Sequence, residues 1–298
     1  MFYLTFIFIF LLGLCFGSFL NCLIWRLHKK QSLFGRSYCP KCQKQIAWYD
    51  NLPVLSFILL GGRCRWCQKP ISWQYPLVEL ITAVLFLIAF IINTKFPISP
   101  AIAGSRQGGD NFQFPNNFQF LISNFQTDPN FLPAQAGKLQ ITNFILLFRD
   151  WLIIAVMMVI FVYDLKWYEI PDKVSLPACL AVFFLNLALG GSLWNLLFSG
   201  IIGSSFFLLQ FLISGGKWIG GGDIRLGLLI GLALGWPNVL VAIFLAYLIG
   251  SVVGLALIIT GKKHWGEKAP LGVFLTSATV ITMFWAEKIL VWYWQLFI

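Results

Sequence analysis

The chain has 298 residues, of which 59% are hydrophobic, 17% are aromatic and only 11% are charged, and its mean hydropathy is +0.81. This composition excludes a soluble globular protein, because most of the chain cannot form a water-exposed surface. The formal net charge of +10 indicates basic cytoplasmic loops of a membrane protein and not a nucleic-acid-binding surface. The sequence therefore predicts an all-α polytopic membrane protein.

About eight apolar stretches are candidates to cross the roughly 30 Å hydrocarbon layer of a membrane, and the fourth and sixth are the shortest. The first stretch lacks a preceding basic segment and a small-residue cleavage site, so we expect it to remain in the protein as a span. The candidate spans lie near 2–24, 77–93, 141–163, 175–190, 193–214, 224–236, 237–260 and 270–296.

The distribution of Lys and Arg predicts the orientation of these spans. Of the 21 Lys and Arg residues, 16 fall within four loops, 25–76, 164–174, 215–225 and 261–269. Cytoplasmic loops carry an excess of basic residues, so we expect these four loops on the cytoplasmic side and both chain ends on the outer side.

The first of these loops contains two Cys-x-x-Cys pairs, Cys39 with Cys42 and Cys64 with Cys67, separated by 21 residues. This spacing is typical of a four-thiolate zinc site. Two disulfides or four incidental cysteines are the alternative, but disulfides are rare on the reducing cytoplasmic side. The sequence predicts a small cytoplasmic zinc-binding domain whose metal supplies folding free energy.

The segment 94–140 differs in composition from the rest of the chain. Asn-Phe-Gln occurs three times in it, among Pro, Gly, Ser and Asn and without a helical or strand period. This pattern predicts a low-complexity insertion on the outer face. We assign no chemistry to Asp110 and Asp128 within it, and partner binding by its aromatic residues is the lesser alternative.

Asp164 and Asp223 each lie where an apolar stretch meets a short polar turn. Asp223 follows three glycines, which allow close approach of backbones. A single aspartate at such a position is more often an N-cap that the helix dipole stabilises. Two on the same face favour a functional pair, since carboxylates near lipid cost several kcal/mol unless they are paired or hydrated.

Asp164 begins the run Asp-Leu-Lys-Trp-Tyr-Glu-Ile-Pro-Asp, which ends at Asp172. Pro171 cannot continue a helix, and Asp172 is placed to cap the next one. We therefore interpret Asp172 as the structural member of this run.

Two carboxylates that share one proton can activate water, as in aspartic proteases. The ionised one takes a proton from water, while the neutral one hydrogen-bonds the scissile carbonyl and stabilises the oxyanion. The sequence leaves open which Asp holds the proton. No Ser-His-Asp or Cys-His set competes, because the chain's two histidines, His28 and His264, lie in basic loops, and no H-E-x-x-H motif occurs.

These motifs, in this order, closely resemble those of the type IV prepilin peptidases, also called prepilin leader peptidase/N-methyltransferases. The resemblance rests on the two cysteine pairs, the Asp-x-Lys-x-x-x-Ile-Pro-Asp run and the Gly-x-Gly-Asp run, and it covers almost the whole chain except 94–140. Further matches are at residues 17–21 with Arg26, 39–40, 48–53, 62–65 and 75–79.

The resemblance implies an endopeptidase that removes the basic leader of type IV prepilins and pseudopilins at the cytoplasmic face of a prokaryotic plasma membrane. Many members then methylate the new N-terminus with S-adenosylmethionine, an activity associated with the N-terminal cytoplasmic region. Asp50 and Glu79 lie in or beside that region without an assigned role, and no cofactor-binding residue is identified. By the resemblance, the catalytic residues are Asp164 and Asp223, with motif support from Gly220, Gly222, Lys166, Asp172 and Arg225.

The predicted organisation is a first span, a zinc-binding domain, a second span, an external insertion and a membrane peptidase domain. Their boundaries are 1–24, 25–76, 77–93, 94–140 and 141–298.

Two motifs depart from the family's pattern. Pro270-Leu271-Gly272-Val273 replaces Pro-Phe-Gly-Pro, and Arg225 replaces a common Lys. Neither change removes an acid, so they bear on sequence preference and not on peptidase chemistry.

Two alternatives differ in class. Presenilin-like proteases also pair Tyr-Asp with Gly-x-Gly-Asp, and Tyr163-Asp164 fits, but the four-cysteine loop and the missing Pro-Ala-Leu motif argue against them. A zinc-bearing transporter or assembly scaffold would use the aspartates as an ion path. The spans contain few other ionisable groups and show no internal repeat. Both observations weaken this alternative.

Overall fold

The computed structural model describes residues 2–95, 133–262, 264 and 269–295. Most of the predicted insertion lies outside these residues. Within them the secondary structure is helical, apart from two isolated β-bridges, which confirms the predicted all-α class. The helices are α1 (Phe2–His28), a 3-10 helix (Trp48–Asn51), α2 (Leu55–Leu59), α3 (Gln74–Lys95), α4 (Pro133–Trp167), α5 (Asp172–Ala188), α6 (Leu193–Ser214), α7 (Gly221–Leu234), α8 (Asn238–Ile259) and α9 (Leu271–Gln295).

Helix α4 begins at Pro133, before residue 141, where the sequence places the end of the insertion. Proline suits the first position of a helix, because the N–H it lacks has no partner there.

Six helices of the described chain are long and apolar enough to cross a membrane, namely α1, α3, α4, α6, α8 and α9. The remaining two long helices, α5 and α7, have 17 and 14 residues. At 1.5 Å per residue they extend about 26 and 21 Å, less than the roughly 30 Å of hydrocarbon. The eight predicted spans thus correspond to six full-length helices and two short ones, and the short ones are the two shortest stretches of the sequence.

Helix α7 is enclosed by protein, which explains why it need not span the membrane. It packs against α5, α6, α8 and α9. Leu226, Leu229 and Ile230 on it are at most 1% exposed and belong to the main apolar core.

Helix α4 separates this core from a second one. Its residues Ile153, Met157 and Ile160 face the main core, whereas Val159 and Val162 pack with residues of α1 and α3. Apolar positions on both sides of one helix are expected for a helix buried between two bundles. The N-terminal and C-terminal parts of the chain therefore share α4 as their common wall.

Glycines bring the helices into close contact. A Cβ added at Gly227 or Gly231 of α7 would overlap a carbonyl oxygen of Gly203 or Ser199 on α6. Lipid tails are as apolar as side chains, so association of helices in a membrane depends on such close packing more than on hydrophobicity.

Close packing at glycines also joins α1 to α3. A Cβ at Gly13 would lie 2.5 Å from the Cα of Ala83, and one at Gly17 would lie 2.6 Å from the Cα of Glu79. The Gly13-x-x-x-Gly17 spacing puts both glycines on one face of α1.

A buried polar network ties α3, α4, α5 and α7 together. The side chain of Asp150 accepts hydrogen bonds from Asn93 at 2.9 Å and from Arg149 at 2.6 Å. Arg149 also donates to Asn186 at 3.0 Å, and Asn186 donates to the Leu232 carbonyl at 2.7 Å. Because each member has a partner, the network can hold an ion pair inside an apolar bundle.

We expect the close approach of α6 and α7 to control stability. Gly231→Ala should destabilise the protein by about 1–3 kcal/mol, since the added methyl group meets backbone that cannot move aside. Thermal unfolding in detergent measures this. The matched control is Gly254→Ala, because a Cβ at Gly254 of α8 meets no atom within 4 Å and alanine favours the helix. Equal melting temperatures for the two variants would contradict the proposed packing.

Candidate functional site

Asp164 lies in the last turn of α4. The helix ends at Trp167, Tyr168 takes a left-handed conformation with φ of 54°, and Pro171 precedes α5. A bulky residue with positive φ is uncommon, and proline lacks the N–H needed to continue a helix. The segment from Asp164 to Asp172 therefore ends α4 and reverses the direction of the chain, with Asp164 at the start of this reversal.

The N-terminal end of α9 holds the Asp164 carboxylate. Oδ2 of Asp164 accepts a hydrogen bond of 3.1 Å from the N–H of Val273. A Cβ added at Gly272 would lie 2.8 Å from the same oxygen, so any other residue at 272 would have to displace the carboxylate. Free N–H groups at a helix start stabilise an anion.

Asp223 is the third residue of α7. Its Oδ2 accepts a hydrogen bond of 3.0 Å from the N–H of Gly220, and its own N–H donates to the Gly220 carbonyl at 3.1 Å. The Asp223 side chain thus satisfies the free N–H that precedes α7, which is the half of a capping box that does not need an N-cap side chain. A Cβ at Gly222 would lie 3.0 Å from the side chain of Ile170, so the glycine run packs directly on the turn that follows Asp164.

The structure brings the two aspartates together. Asp164 and Asp223 are 6% and 9% exposed, and both line one cavity of about 480 Å³, which we call the aspartate cavity. Among the predicted supporting residues, Gly220, Gly222, Asp172 and Arg225 line it as well.

Two predicted roles differ from what the structure has. Asp172 is the first residue of α5, and no side-chain hydrogen bond caps that helix. Its carboxylate instead forms an ion pair with Arg225, so the predicted cap by Asp172 is wrong. Lys166 lies outside the aspartate cavity and lines a separate one, because a shift of two residues along a helix turns the side chain away.

Val273 and Gly272 are site residues that the sequence analysis recorded without a role. They contact Asp164 across 109 and 108 positions of the chain. The only sequence signal for them was the altered signature Pro270-Leu271-Gly272-Val273, in which Gly272 is kept and Val273 replaces proline. Proline at 273 would remove the donating N–H, so valine there supplies a hydrogen bond that the family's usual residue cannot give.

The four cysteines of the first loop also come together. Sγ atoms of Cys39, Cys42, Cys64 and Cys67 all lie within 4.8 Å of one another. Those of Cys39 and Cys67 are 3.9 Å apart, far beyond the roughly 2.05 Å of a disulfide. Four thiolates at about 2.3 Å around a tetrahedral ion have edges of about 3.8 Å, so this geometry fits a metal site.

A short repeat builds the two halves of this site. Cys-x-x-Cys-Gln-Lys-x-Ile occurs at 39–46 and again at 64–71. In each copy the glutamine has a positive φ, 60° at Gln43 and 55° at Gln68, and its N–H donates to the carbonyl of the first cysteine. The repeat is visible in the sequence and extends beyond the cysteine spacing that indicated the metal site.

The four thiols of this loop differ in acidity. Backbone N–H groups of Cys67 and Trp66 lower the pKa of the Cys64 thiol to about 7, which favours the thiolate that binds metal. The Cys42 thiol, although it is hydrogen-bonded by the Lys44 backbone, has its pKa raised to about 11 by burial and by the neighbouring cysteines. Arg65 donates to both oxygens of Asp50, at 2.8 and 2.6 Å, and lowers the pKa of that carboxyl group. Asp50 thus has a structural role that the sequence left unassigned.

Comparisons with known proteins agree with these two sites. Residues 11–93 match the bacterial peptidase A24 N-terminal domain. Residues 151–255 match the type IV leader peptidase family. The first match contains all four cysteines, and the second contains both aspartates of the cavity.

Similar proteins extend the agreement over nearly the full length. The chain is 29% identical to the prepilin leader peptidase/N-methyltransferase of Aeromonas hydrophila, with 98% of this chain and 94% of the relative covered. It is 26% identical to the protein of the same name in Bacillus subtilis, with 96% of each covered. A Myxococcus xanthus relative of that name is 54% identical over 27% of this chain and 24% of its own length. No solved structure matches the chain.

Proposed function

Because the chain belongs to the type IV leader peptidase family, we propose that it removes the leader of type IV prepilins and pseudopilins as an aspartic endopeptidase. The observation that carries this proposal is the common cavity of Asp164 and Asp223. The similarity to proteins that are named as peptidases does not favour a transporter or a scaffold.

The proposed mechanism uses the two carboxylates as an acid and a base. The ionised one takes a proton from a water molecule, which then attacks the scissile carbonyl carbon. The neutral one donates its proton in a hydrogen bond to the carbonyl oxygen and stabilises the charge that develops there. When the tetrahedral intermediate collapses, the C–N bond breaks, and the carboxyl group that took the proton from water passes it to the leaving amine. Backbone N–H groups of Val273 and Gly220 hold the carboxylates in place without neutralising them, so the pair keeps one proton to share.

The chain is a multi-pass membrane protein, and we propose that it lies in the plasma membrane of a prokaryote with the aspartate cavity facing the cytoplasm. The cavity is formed by residues of the basic loops 164–174 and 215–225. The excess of Lys and Arg in these loops supports the orientation. A substrate with a basic leader would then meet the cavity at the level where its hydrophobic segment begins.

Zinc is the ion that we propose for the four cysteines, since four thiolates in a tetrahedron are its common structural site. Zinc would join the two Cys-x-x-Cys pairs of a domain that has few buried apolar residues of its own. The printed names of the relatives include N-methyltransferase, and we propose that this chain shares that second activity. S-adenosylmethionine would supply the methyl group when bound.

Replacing either aspartate of the cavity should abolish cleavage. We expect Asp164→Asn and Asp223→Asn each to reduce the rate by about 10²- to 10⁴-fold, the contribution of a positioned acid or base. The measurement is leader cleavage of a prepilin-type substrate in detergent or membranes. Asp128→Asn, the same change in the low-complexity segment, is the control. Cleavage that persists in either cavity variant would remove that Asp from the mechanism.

The contact between Gly272 and Asp164 gives a second prediction for cleavage. Gly272→Ala should lower kcat by about 10²-fold, because the methyl group displaces the carboxylate and small displacements at a reacting centre have effects of this size. Substrate affinity and zinc content should stay near those of the wild type. Gly254→Ala provides the control for the same change in an open position, and a wild-type kcat for Gly272→Ala would contradict the assigned contact.

Metal content tests the four-cysteine site directly. The purified full-length protein should contain one zinc ion per chain by elemental analysis. Cys42→Ser should lose it, because three thiolates close the site poorly. Cys15→Ser should retain it, since Cys15 lies in α1 outside the cluster. Equal zinc contents in the two variants, or none in the wild type, would refute the proposal.

A further inference from the structure

A short apolar helix lies in the loop 25–76 that holds the four cysteines, which we call the four-cysteine domain. The segment 52–60 reads Leu-Pro-Val-Leu-Ser-Phe-Ile-Leu-Leu, and α2 lies within it. Leu55, Ile58 and Leu59 of α2 are 51%, 66% and 74% exposed. Single exposed apolar residues are ordinary, but a group of large ones on one short helix marks an interaction surface.

Two contacts fix α2 beside the beginning of α3. The N–H of Val54, which precedes α2, donates to Oε2 of Glu79 at 2.7 Å, and Glu79 is the sixth residue of α3. The ring of Phe57 packs on that of Trp73, with centroids 4.9 Å apart, and Trp73 directly precedes α3. Each residue of a helix advances 1.5 Å, so both contacts fall within about the first 8 Å of α3.

This part of α3 belongs to a membrane-spanning helix. Its apolar span has 21 residues, from Gln74 to Thr94, and extends about 31 Å, so nearly all of it is needed to cross roughly 30 Å of hydrocarbon. The first two turns expose Leu77, Leu80 and Ile81, as expected for a helix that faces lipid. Since α2 packs beside these turns, it lies at the boundary of the bilayer and not in the water above it.

The backbone of α2 suits an apolar environment. The N–H groups of residues 56, 58, 60, 61 and 62 all donate to carbonyls between positions 52 and 58. The hydroxyl of Ser56 donates to the Leu52 carbonyl at 2.7 Å. Lipid offers no hydrogen bonds, so an element in contact with it must pair its polar groups internally. Arg63 follows the segment and is exposed, where a guanidinium can pair with a lipid phosphate.

Buried packing determines the position of α2. Val54 has φ of 60° and ψ of −47°, a conformation that a β-branched residue adopts only under constraint. Such strain persists where the surrounding structure enforces it. Its partner Glu79 is 6% exposed, and a Cβ added at Gly17 of α1 would lie 2.6 Å from the Cα of Glu79. The close packing of α1 on α3 thus fixes the carboxylate that holds the start of α2.

We propose that α2 inserts into the boundary between headgroups and acyl chains, in the leaflet that adjoins the four-cysteine domain. Leu55, Ile58 and Leu59 then contact lipid of the membrane that the protein already spans, because exposed apolar side chains of α3 lie at the same level. Helices that lie in this boundary bury their apolar side chains about 5–10 Å deep. The four-cysteine domain is therefore attached to the membrane surface. This placement depends on the spanning helices and not on the proposed peptidase activity.

Carbene labelling tests which side chains face lipid. The full-length protein is placed in nanodiscs of phosphatidylglycerol and phosphatidylethanolamine, with a diazirine either on an acyl chain or on a water-soluble carrier, and adducts are located by mass spectrometry. Leu55, Ile58 and Leu59 should take the acyl-chain label at a level comparable to Phe244, which is 70% exposed on α8. They should be protected from the soluble reagent. Labelling of α2 by the soluble reagent alone would overturn the inference. Protection from both reagents would overturn it too, because a protein surface such as a second copy would then cover α2.

Variants test what holds α2 in lipid. Ile58→Asp should lower acyl-chain labelling of α2 about 10-fold, since the burial of one isoleucine side chain is worth at least this factor. Gln45→Asp adds the same charge at an exposed position of the same domain and should leave the labelling unchanged. The melting temperature in detergent reports whether each variant is folded. Equal labelling of α2 in these two variants would contradict the proposed insertion.

Glu79 is a positioning residue in this proposal. Glu79→Ala removes the acceptor of the Val54 N–H and should lower acyl-chain labelling of α2, whereas Glu79→Gln should retain it, because its amide oxygen can still accept that hydrogen bond. Wild-type labelling in Glu79→Ala would remove Glu79 from the placement of α2.

Discussion

A carboxylate inside a membrane protein costs several kcal/mol unless hydrogen bonds or a counter-ion stabilise it, and this cost decides how the acidic residues of this chain can be used. Four carboxylates are buried in the described part of the chain, at Glu79, Asp150, Asp164 and Asp223. Asp150 forms an ion pair with Arg149 inside a closed network. Each of the other three accepts a hydrogen bond from a backbone N–H and lines a cavity.

This difference separates structural from chemical use of the same group. An ion pair neutralises a carboxylate and fixes it, so Asp150 can belong to a network that joins four helices but cannot readily exchange a proton. A backbone N–H stabilises the charge, loses no side-chain entropy and leaves a second oxygen available. The peptidase proposal depends on carboxylates of this second kind.

Local patterns in the sequence predicted the parts of the site but not the contacts between distant segments. The helical class, the cysteine cluster and the meeting of Asp164 with Asp223 follow from hydropathy, spacing and the side of the membrane on which two motifs lie. The hydrogen bond from Val273 to Asp164 joins residues that no local rule relates, and it depends on glycine at 272. Asp172 shows the opposite failure, since its position suited a cap but its carboxylate pairs with Arg225 on a different helix.

The last turn of α4 is a wall of both cavities, and this has a thermodynamic consequence. Any displacement of that turn by a ligand in one cavity changes the free energy of binding in the other. Linkage requires the effect to be mutual and equal in size. If a ligand in the cavity that Lys166 lines raises the affinity of the aspartate cavity for a precursor by some factor, the precursor raises the affinity for that ligand by the same factor.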